Sequence, residues 1–282
     1  MHPMPNDLRY LANCSILFPE VALLERPAAA HAAGFDAVEF WWPFPSATPS
    51  DADVDRFVAA VKDAGVQLVG LNFAAGDMPA GDRGLASWPG REQEFLDSVD
   101  IAVGIACQLG TVAFNALYGN RVDGHSPEEQ DELAVRSLAA AAAAAATVGA
   151  TVLLEPVSGA PRYPLLTAQD VVDVITRVER ETGRTELRLL ADLYHLSVNG
   201  DDVAAALTQH GAIVGHVQIA DAPGRHEPGT GELPLSAHLA QLAQAGYRGW
   251  VGLEYVPSTT FDAGLGWLPP ELRSSSTPAA GS

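Results

Sequence analysis

The sequence predicts a single (β/α)8 TIM barrel, an α/β fold, on three observations. Apolar runs of strand length alternate with helix-like stretches eight times along the chain. Helical stretches stop at a glycine just before the next apolar run (Gly34, Gly65, Gly110, Gly149, Gly183, Gly211 and Gly246), a punctuation repeating about every 30–40 residues. The last four apolar runs each carry an oxygen-bearing side chain near their end: Glu155 in TVLLEPV, Asp192 in RLLADLYH, Gln218 in GHVQIAD and Glu254 in WVGLEYV. A doubly wound sheet is the alternative, but no GxGxxG follows the first run.

Taken in order, the expected strands are 8–18, 36–42, 67–73, 111–117, 151–155, 187–193, 213–220 and 249–255, each too short and too rich in branched residues for a helix. The expected helices are 19–33, 51–64, 91–109, 127–148, 168–182, 201–209, 235–245 and 260–267. Ser126-Pro127-Glu128-Glu129 puts serine at an N-cap, proline in the first turn and acids beside the positive end of the dipole; Ser50 and Thr167 are similar caps. The run Ala139–Ala146 is a helix interior, since alanine is the best helix former. Two connections, 74–90 and 221–234, are long for loops that leave a strand, which puts both on the catalytic face of a barrel. Residues 1–7 are expected to be a loose tail, 8–270 the barrel, and 271–282 a disordered tail.

Composition excludes several functions. The net charge of −19 disfavours a nucleic-acid partner, whose phosphates reward a basic face. No apolar run reaches the length of a membrane span, and the first residues lack the pattern of a secretory leader, so a cytoplasmic location is expected. The one lysine, Lys62, falls in an expected helix, which leaves none for a Schiff base or a P-loop. Cys14 and Cys107 read as reduced core residues rather than a disulfide framework.

On neighbouring parallel strands, Glu155, Asp192, Gln218 and Glu254 converge at the carboxyl ends. Three carboxylates and an amide oxygen in one place repel one another unless a divalent cation joins them. An all-oxygen set accepts Mg, Mn, Co or Fe. His195 follows Asp192 by three residues and is a candidate to orient substrate, or else a buried histidine bonded to a carbonyl. Arg225 lies in the second long loop and could clamp a substrate carboxylate, or pair with Glu227 or Glu232. Asn72, with Asn13 and Glu39, ends an early strand and is a candidate to line the mouth and touch substrate, while His216 shares Gln218's face one step deeper. Gly229-Thr230-Gly231 is either a phosphate cradle or a plain turn. Trp41, Trp42 and Phe73 are expected as apolar walls or a self-association surface.

The stretches LRYLANCSILF, GFDAVEFWWP, NFAAGDMPAGDRGLASWPGREQEF, LLEPV, DLYH, GHVQIADAPGRHEPGTGEL and GWVGLEY, running nearly end to end, resemble the hydroxypyruvate isomerase family of xylose-isomerase-like barrels. The resemblance implies a divalent metal held by Glu155, Asp192, Gln218 and Glu254, with Glu155 and Glu254 as the proton-transferring pair. It implies an isomerase acting on hydroxypyruvate and 2-hydroxy-3-oxopropanoate through an enediolate, with no redox cofactor. Its partner would be a small hydroxy-oxo acid or sugar-like substrate, and a homo-oligomer is compatible with it. The sequence departs from the family's usual EPIN, reading EPVSGAPRYPLL with Ser158 where asparagine is usual, beside the substrate. A 2-oxo-tetronate isomerase or a ketose 3-epimerase would use the same site. The sugar epimerases usually have histidine where Gln218 stands. A metal-dependent nuclease of the same barrel type or a non-enzymatic barrel are the readings from other classes.

Overall fold

A computed structural model describes residue 5 and residues 7–274. Its strands are β1 (Arg9–Asn13), β2 (Ala37–Phe40), β3 (Gln67–Asn72), β4 (Ala113–Asn115), β5 (Thr151–Leu154), β6 (Leu187–Asp192), β7 (Val214–Ile219) and β8 (Trp250–Leu253). All neighbours are parallel, and β8 pairs with β1 to close the barrel. Around it run α1 (Arg26–Ala32), α2 (Asp51–Ala64), α3 (Glu92–Leu109), α4 (Pro127–Ala146), α5 (Ala168–Thr182), α6 (Leu193–Val198), α7 (Val203–His210), α8 (Leu235–Gln244) and α9 (Phe261–Gly264). Among the described residues, no helix is long and apolar enough to cross a membrane.

The helix starts follow from the capping residues. Ser126 accepts from Glu129 N while Glu129 reaches back to the Ser126 N–H, and Thr167 makes the same reciprocal pair with Asp170. Ser50 accepts from Asp53 N at 3.2 Å. Gly65 and Gly110 end α2 and α3 in the left-handed region, which only glycine enters freely. Gly211 departs from this pattern: its backbone is right-handed, and it opens a 3-10 turn into β7.

Several elements differ from expectation. The first helix, expected over 19–33, is Arg26–Ala32, entered through a 3-10 turn at Leu23–Glu25 with Pro27 in its first turn. The first strand stops at Asn13 rather than running to residue 18, because the Asn13 side chain takes the Ser15 N–H and its carbonyl takes the Leu17 N–H, turning the chain. Leu193–Val198, read as the end of a strand and a loop, is the short helix α6, with Asp192 as its N-cap. The last helix shrinks from eight residues to Phe261–Gly264. Cys14 is buried, but Cys107 is exposed on the outer side of α3 and is not a core residue. Phe73 is buried and stacked on Phe114 at 5.1 Å, so it belongs to the core rather than to a wall. At the C-terminal end, the packed chain extends past residue 270. Leu272 is buried, and the Arg273 guanidinium donates to the carbonyls of Ala33, Leu265 and Leu268. The rest of the expected C-terminal tail, 275–282, and most of the expected N-terminal tail lie outside the described residues.

Inside the barrel the two-residue period of the strands separates two layers. The layer nearer the strand starts is apolar, including Leu11, Ala37, Ala113, Leu153, Leu190 and Trp250. Two residues on, β1, β2, β4, β5 and β6, or the residue following, deliver the buried polar side chains Asn13, Glu39, Asn115, Glu155 and Asp192, and Asn72, Gln218 and Glu254 complete a polar ring at the ends of β3, β7 and β8. The ring is staggered. Asn13 is level with Glu39, Asn72 with Asn115, and Asp192 with Gln218, whereas Gln218 pairs with Gly252, so Glu254 sits a step higher.

Candidate active site

Three members of the ring, Asn72, Glu155 and Glu254, line a cavity of about 290 Å³ together with His195, Arg225, Ser158 and Arg83 among others. A groove of about 910 Å³ over Trp42 and Phe44 is larger, but the converging titratable groups lie in the smaller cavity. Both long loops reach it as expected: Met78, Pro79 and Arg83 come from the first, Arg225 from the second. Trp41 is a wall of the cavity; Trp42 lines the neighbouring groove and packs on Phe44.

Glu39 is the hub of the ring. Its Oε1 accepts from Asn13 Nδ2 at 3.0 Å and from Gln218 Nε2 at 2.8 Å, and its Oε2 lies 2.7 Å from His216 Nε2. The strands make room for this carboxylate with glycines: a Cβ on Gly252 would fall 2.4 Å from Oε1, and one on Gly70 would fall 3.2 Å from the Glu39 Cβ. Because the Gln218 amide gives its N–H to Glu39, its oxygen must face the other way. That oxygen is buried and, among the described residues, has no hydrogen-bond partner. An orphaned buried acceptor is unfavourable by about 1–3 kcal/mol unless a donor or a cation meets it.

The two glutamates differ in their surroundings. Glu155 accepts one bond at Oε1, from Asn115 Nδ2 at 2.7 Å. Burial, then the charge of Asp192, pushes its carboxyl up to about 8, against the pull of Asn115 and Arg225. Glu254 accepts from Asn13 Nδ2 at 2.9 Å and from Arg225 Nη2 at 2.5 Å. Burial holds it well above the usual carboxylate range as well, with Arg225 opposing and Asp192 and Glu155 adding to the rise. Arg225 thus pairs with Glu254 rather than with Glu227 or Glu232; Glu227 is occupied by the N–H and hydroxyl of Ser258. Arg225 has a left-handed backbone, and its guanidinium lies 5.4 Å over the Tyr194 ring.

Oxygens of Glu155 and Asp192 and a ring nitrogen of His195 lie within 4.8 Å of one another, which by itself resembles a three-residue metal cluster. The histidine has another constraint. The backbone N–H of Ser158 donates to Nδ1 at 3.0 Å, and the Ser158 hydroxyl lies 2.7 Å from the same atom. A backbone N–H can only donate, so Nδ1 is bare and the neutral ring carries its hydrogen on Nε2, which then cannot ligate a metal. Burial, aided by Arg225 and Arg83 against Asp192, lowers the His195 pKa and favours that neutral ring. On that tautomer Nε2–H points toward the cavity, and the Arg225 Nη2 found 3.4 Å away is a close approach of two donors rather than a hydrogen bond, the shorter Ser158 N–H contact at Nδ1 deciding between them. Asp192, in turn, spends Oδ1 on the N–H groups of Tyr194 and His195 at 2.9 and 3.0 Å, and its other oxygen is 3.8 Å from His195 Nε2.

The chemistry of the set fits a divalent cation. Gln218 offers an orphaned oxygen, Asp192 keeps Oδ2 clear of hydrogen bonds, Glu155 keeps Oε2 clear, and each Glu254 oxygen retains a second lone-pair direction. The Gly229–Gly231 turn is a plain turn: Asp221 already takes the N–H groups of Gly229 and Leu233 at 2.7 and 3.0 Å. Sequence reasoning did not single out Asn115, the bond between Ser158 and His195, or Arg83. The group-specific GDRG stretch was the available signal for the last.

The fold and the site define a member of the xylose isomerase-like TIM barrels, whose family model matches residues 27–271, and the chain belongs to that family. Within it the chain falls among the hydroxypyruvate isomerases and their kin. It is 52% identical to a putative hydroxypyruvate isomerase of Streptomyces coelicolor, over 95% of this chain and 98% of that protein. It is 35% identical to the hydroxypyruvate isomerase of Escherichia coli, over 93% and 99%, and 39% identical to a 2-oxo-tetronate isomerase of Cupriavidus necator, over 94% and 98%. A Brucella melitensis crystal structure described as an AP endonuclease, family 2, superposes with a TM-score of 0.83 at 37% identity, covering 93% of this chain and 98% of that one. By this kinship the chain is an isomerase.

Proposed function

We propose that this isomerase is metal-dependent and interconverts hydroxypyruvate and 2-hydroxy-3-oxopropanoate through an enediolate. The observation that carries the reading is the Gln218 amide. Its N–H is fixed on Glu39, which leaves a buried oxygen without a partner among the described residues; that oxygen and the carboxylates of Glu155, Asp192 and Glu254 would hold the cation. When bound, a divalent ion polarises the substrate carbonyl and lowers the energy of the enediolate.

The chain's own groups supply the rest. One glutamate, of Glu155 and Glu254, takes a proton from C3 of hydroxypyruvate, and the other, starting protonated, delivers one to C2; the C3 hydroxyl proton passes to the C2 oxygen, which leaves an aldehyde at C3 and a hydroxyl at C2, and proton exchange with solvent resets the pair. Burial raises both carboxyls above the ordinary carboxylate range, Glu155 to about 8, which makes each a stronger proton acceptor than a free carboxylate. His195 donates its Nε2–H to a substrate oxygen, and Ser158 keeps that tautomer in place. Asn72 and Arg225 contact the substrate from the wall.

The relatives' names support this reaction or the same chemistry on a 2-oxo-tetronate. A nuclease is disfavoured by the net charge of −19 and by a cavity walled with carboxylates. Proton NMR of the purified protein with hydroxypyruvate and manganese or magnesium, with and without a chelator, tests the proposal. The aldehyde product should appear only with metal. A metal-loaded, folded protein that leaves hydroxypyruvate untouched overturns it.

A further inference from the structure

We propose that Arg83, on the loop between β3 and α3, anchors the substrate's carboxylate, so that the cavity selects short hydroxy-oxo acids over uncharged ketoses. The inference rests on the isomerase reading and gives it a substrate class.

Arg83 lines the same cavity as Glu155, His195 and Glu254. Its Nη1 donates to the carbonyls of Met78 at 3.0 Å and Asp82 at 2.6 Å, two contacts that position the guanidinium without neutralising it. Among the described residues no carboxylate pairs with it. The adjacent Asp82 carboxylate is committed elsewhere, to Arg91 Nη1 at 3.1 Å and to the Asp77 N–H at 2.8 Å. The Nε and Nη2 donors have no protein partner among the described residues, and that edge of the fork matches a carboxylate in two-point contact.

The other cavity arginine is placed differently, because Arg225 gives Nη2 to Glu254. An acid entering a cavity walled by Glu155 and Glu254, above Asp192, meets repulsion unless one cation is uncommitted, and Arg83 is that cation. The loop also holds it in place. The next residue, Gly84, bridges Tyr118, its N–H reaches the Ala75 carbonyl at 3.0 Å, and a Cβ there would fall 2.0 Å from the Leu117 carbonyl oxygen.

The test compares hydroxypyruvate with dihydroxyacetone, which replaces the carboxylate by a hydroxymethyl group, using manganese-loaded wild type, Arg83→Gln and Arg83→Lys. The ratio of kcat/KM for the acid to that for the ketose should fall about 10- to 100-fold in Arg83→Gln, chiefly through KM, as loss of a charged hydrogen-bonded contact predicts. Lysine should restore part of it, since it keeps the charge but not the fork. Calorimetric binding of glycerate, an acid that does not react by this route, should weaken by a similar factor. Unchanged manganese affinity and circular dichroism would show the variants folded. An unchanged ratio, or equal losses on both substrates with glycerate binding intact, overturns the role of Arg83. If wild type turns over neither substrate, the isomerase reading fails, and the glycerate measurement still decides whether Arg83 holds a carboxylate.

Discussion

Glu155 and Glu254 stand in equivalent places, each one residue past the end of its strand, yet their surroundings differ. Among the described residues, the Glu155 carboxylate has a single hydrogen bond, from its neighbour strand's Asn115, and an oxygen left clear. Glu254 is gripped from two sides, by Asn13 across the barrel closure and by Arg225 from the loop after β7. Strand ends deliver the two carboxylates to the same cavity. Partners distant in the chain give them different environments. Glu155 is the less restrained group, and Glu254 is the one whose position is fixed before substrate arrives.

That contrast can be broken outright. Glu155→Gln and Glu254→Gln should each lower the isomerisation rate about 10²- to 10⁴-fold, the range for a lost general acid or base, measured by steady-state kinetics. A variant at either position with near wild-type turnover would remove that glutamate from the proton-transfer pair.

The gripped side can be loosened through its hub. Glu39→Leu removes the oxygen that accepts from both Asn13 and Gln218, so the Gln218 amide is free to turn. Manganese affinity by calorimetry should fall about 10- to 100-fold, as when a group that orients metal ligands is lost. Unchanged affinity would show that Glu39 does not set the amide.

The less restrained side predicts a pH dependence. The folded-state pKa of Glu155 is raised to about 8, above an unfolded carboxyl near about 4.3. The folded state then binds the proton more tightly. The associated stability is fully present below the unfolded pKa and is lost as pH rises towards 8. The Tm of metal-free protein should drop by about 5 °C or more between pH 5 and pH 8, and added manganese should raise Tm more at pH 8 than at pH 5. A flat metal-free profile would contradict the crowding of carboxylates at the mouth.

The smallest effect concerns Ser158. Ser158→Ala keeps the backbone N–H on His195 Nδ1 and loses only the hydroxyl, so kcat/KM should fall about 2- to 10-fold, the worth of one neutral hydrogen bond. A loss of a hundredfold would show that the hydroxyl, rather than the N–H, fixes the ring.

The barrel was legible in the sequence because its signals are local: apolar runs, capping serines and threonines, and stopping glycines. The polar ends of the last four strands were legible for the same reason, as was Asn72. What escaped depends on long-range pairing. Asn115 reaches Glu155 across 40 residues, and Glu39 meets Gln218 across 179; neither contact leaves a trace in either stretch alone. Ser158 looked only like a departure from a familiar motif, and its bond to His195 became visible when α6 brought the ring under the loop. The α6 helix itself was hidden because ADLYHLSV continues an apolar strand, and its start depends on Asp192 capping the N–H groups of Tyr194 and His195.

The most direct test of the central claim is deuterium exchange at C3 of hydroxypyruvate in D2O, followed by proton NMR, for manganese-loaded wild type and the two glutamate variants. Wild type should exchange and isomerise. Both variants should fail to isomerise, while the one that keeps the base acting at C3 still exchanges. Absence of exchange in folded, metal-loaded wild type, or isomerisation by both variants at the wild-type rate, would contradict a paired-glutamate enediolate mechanism.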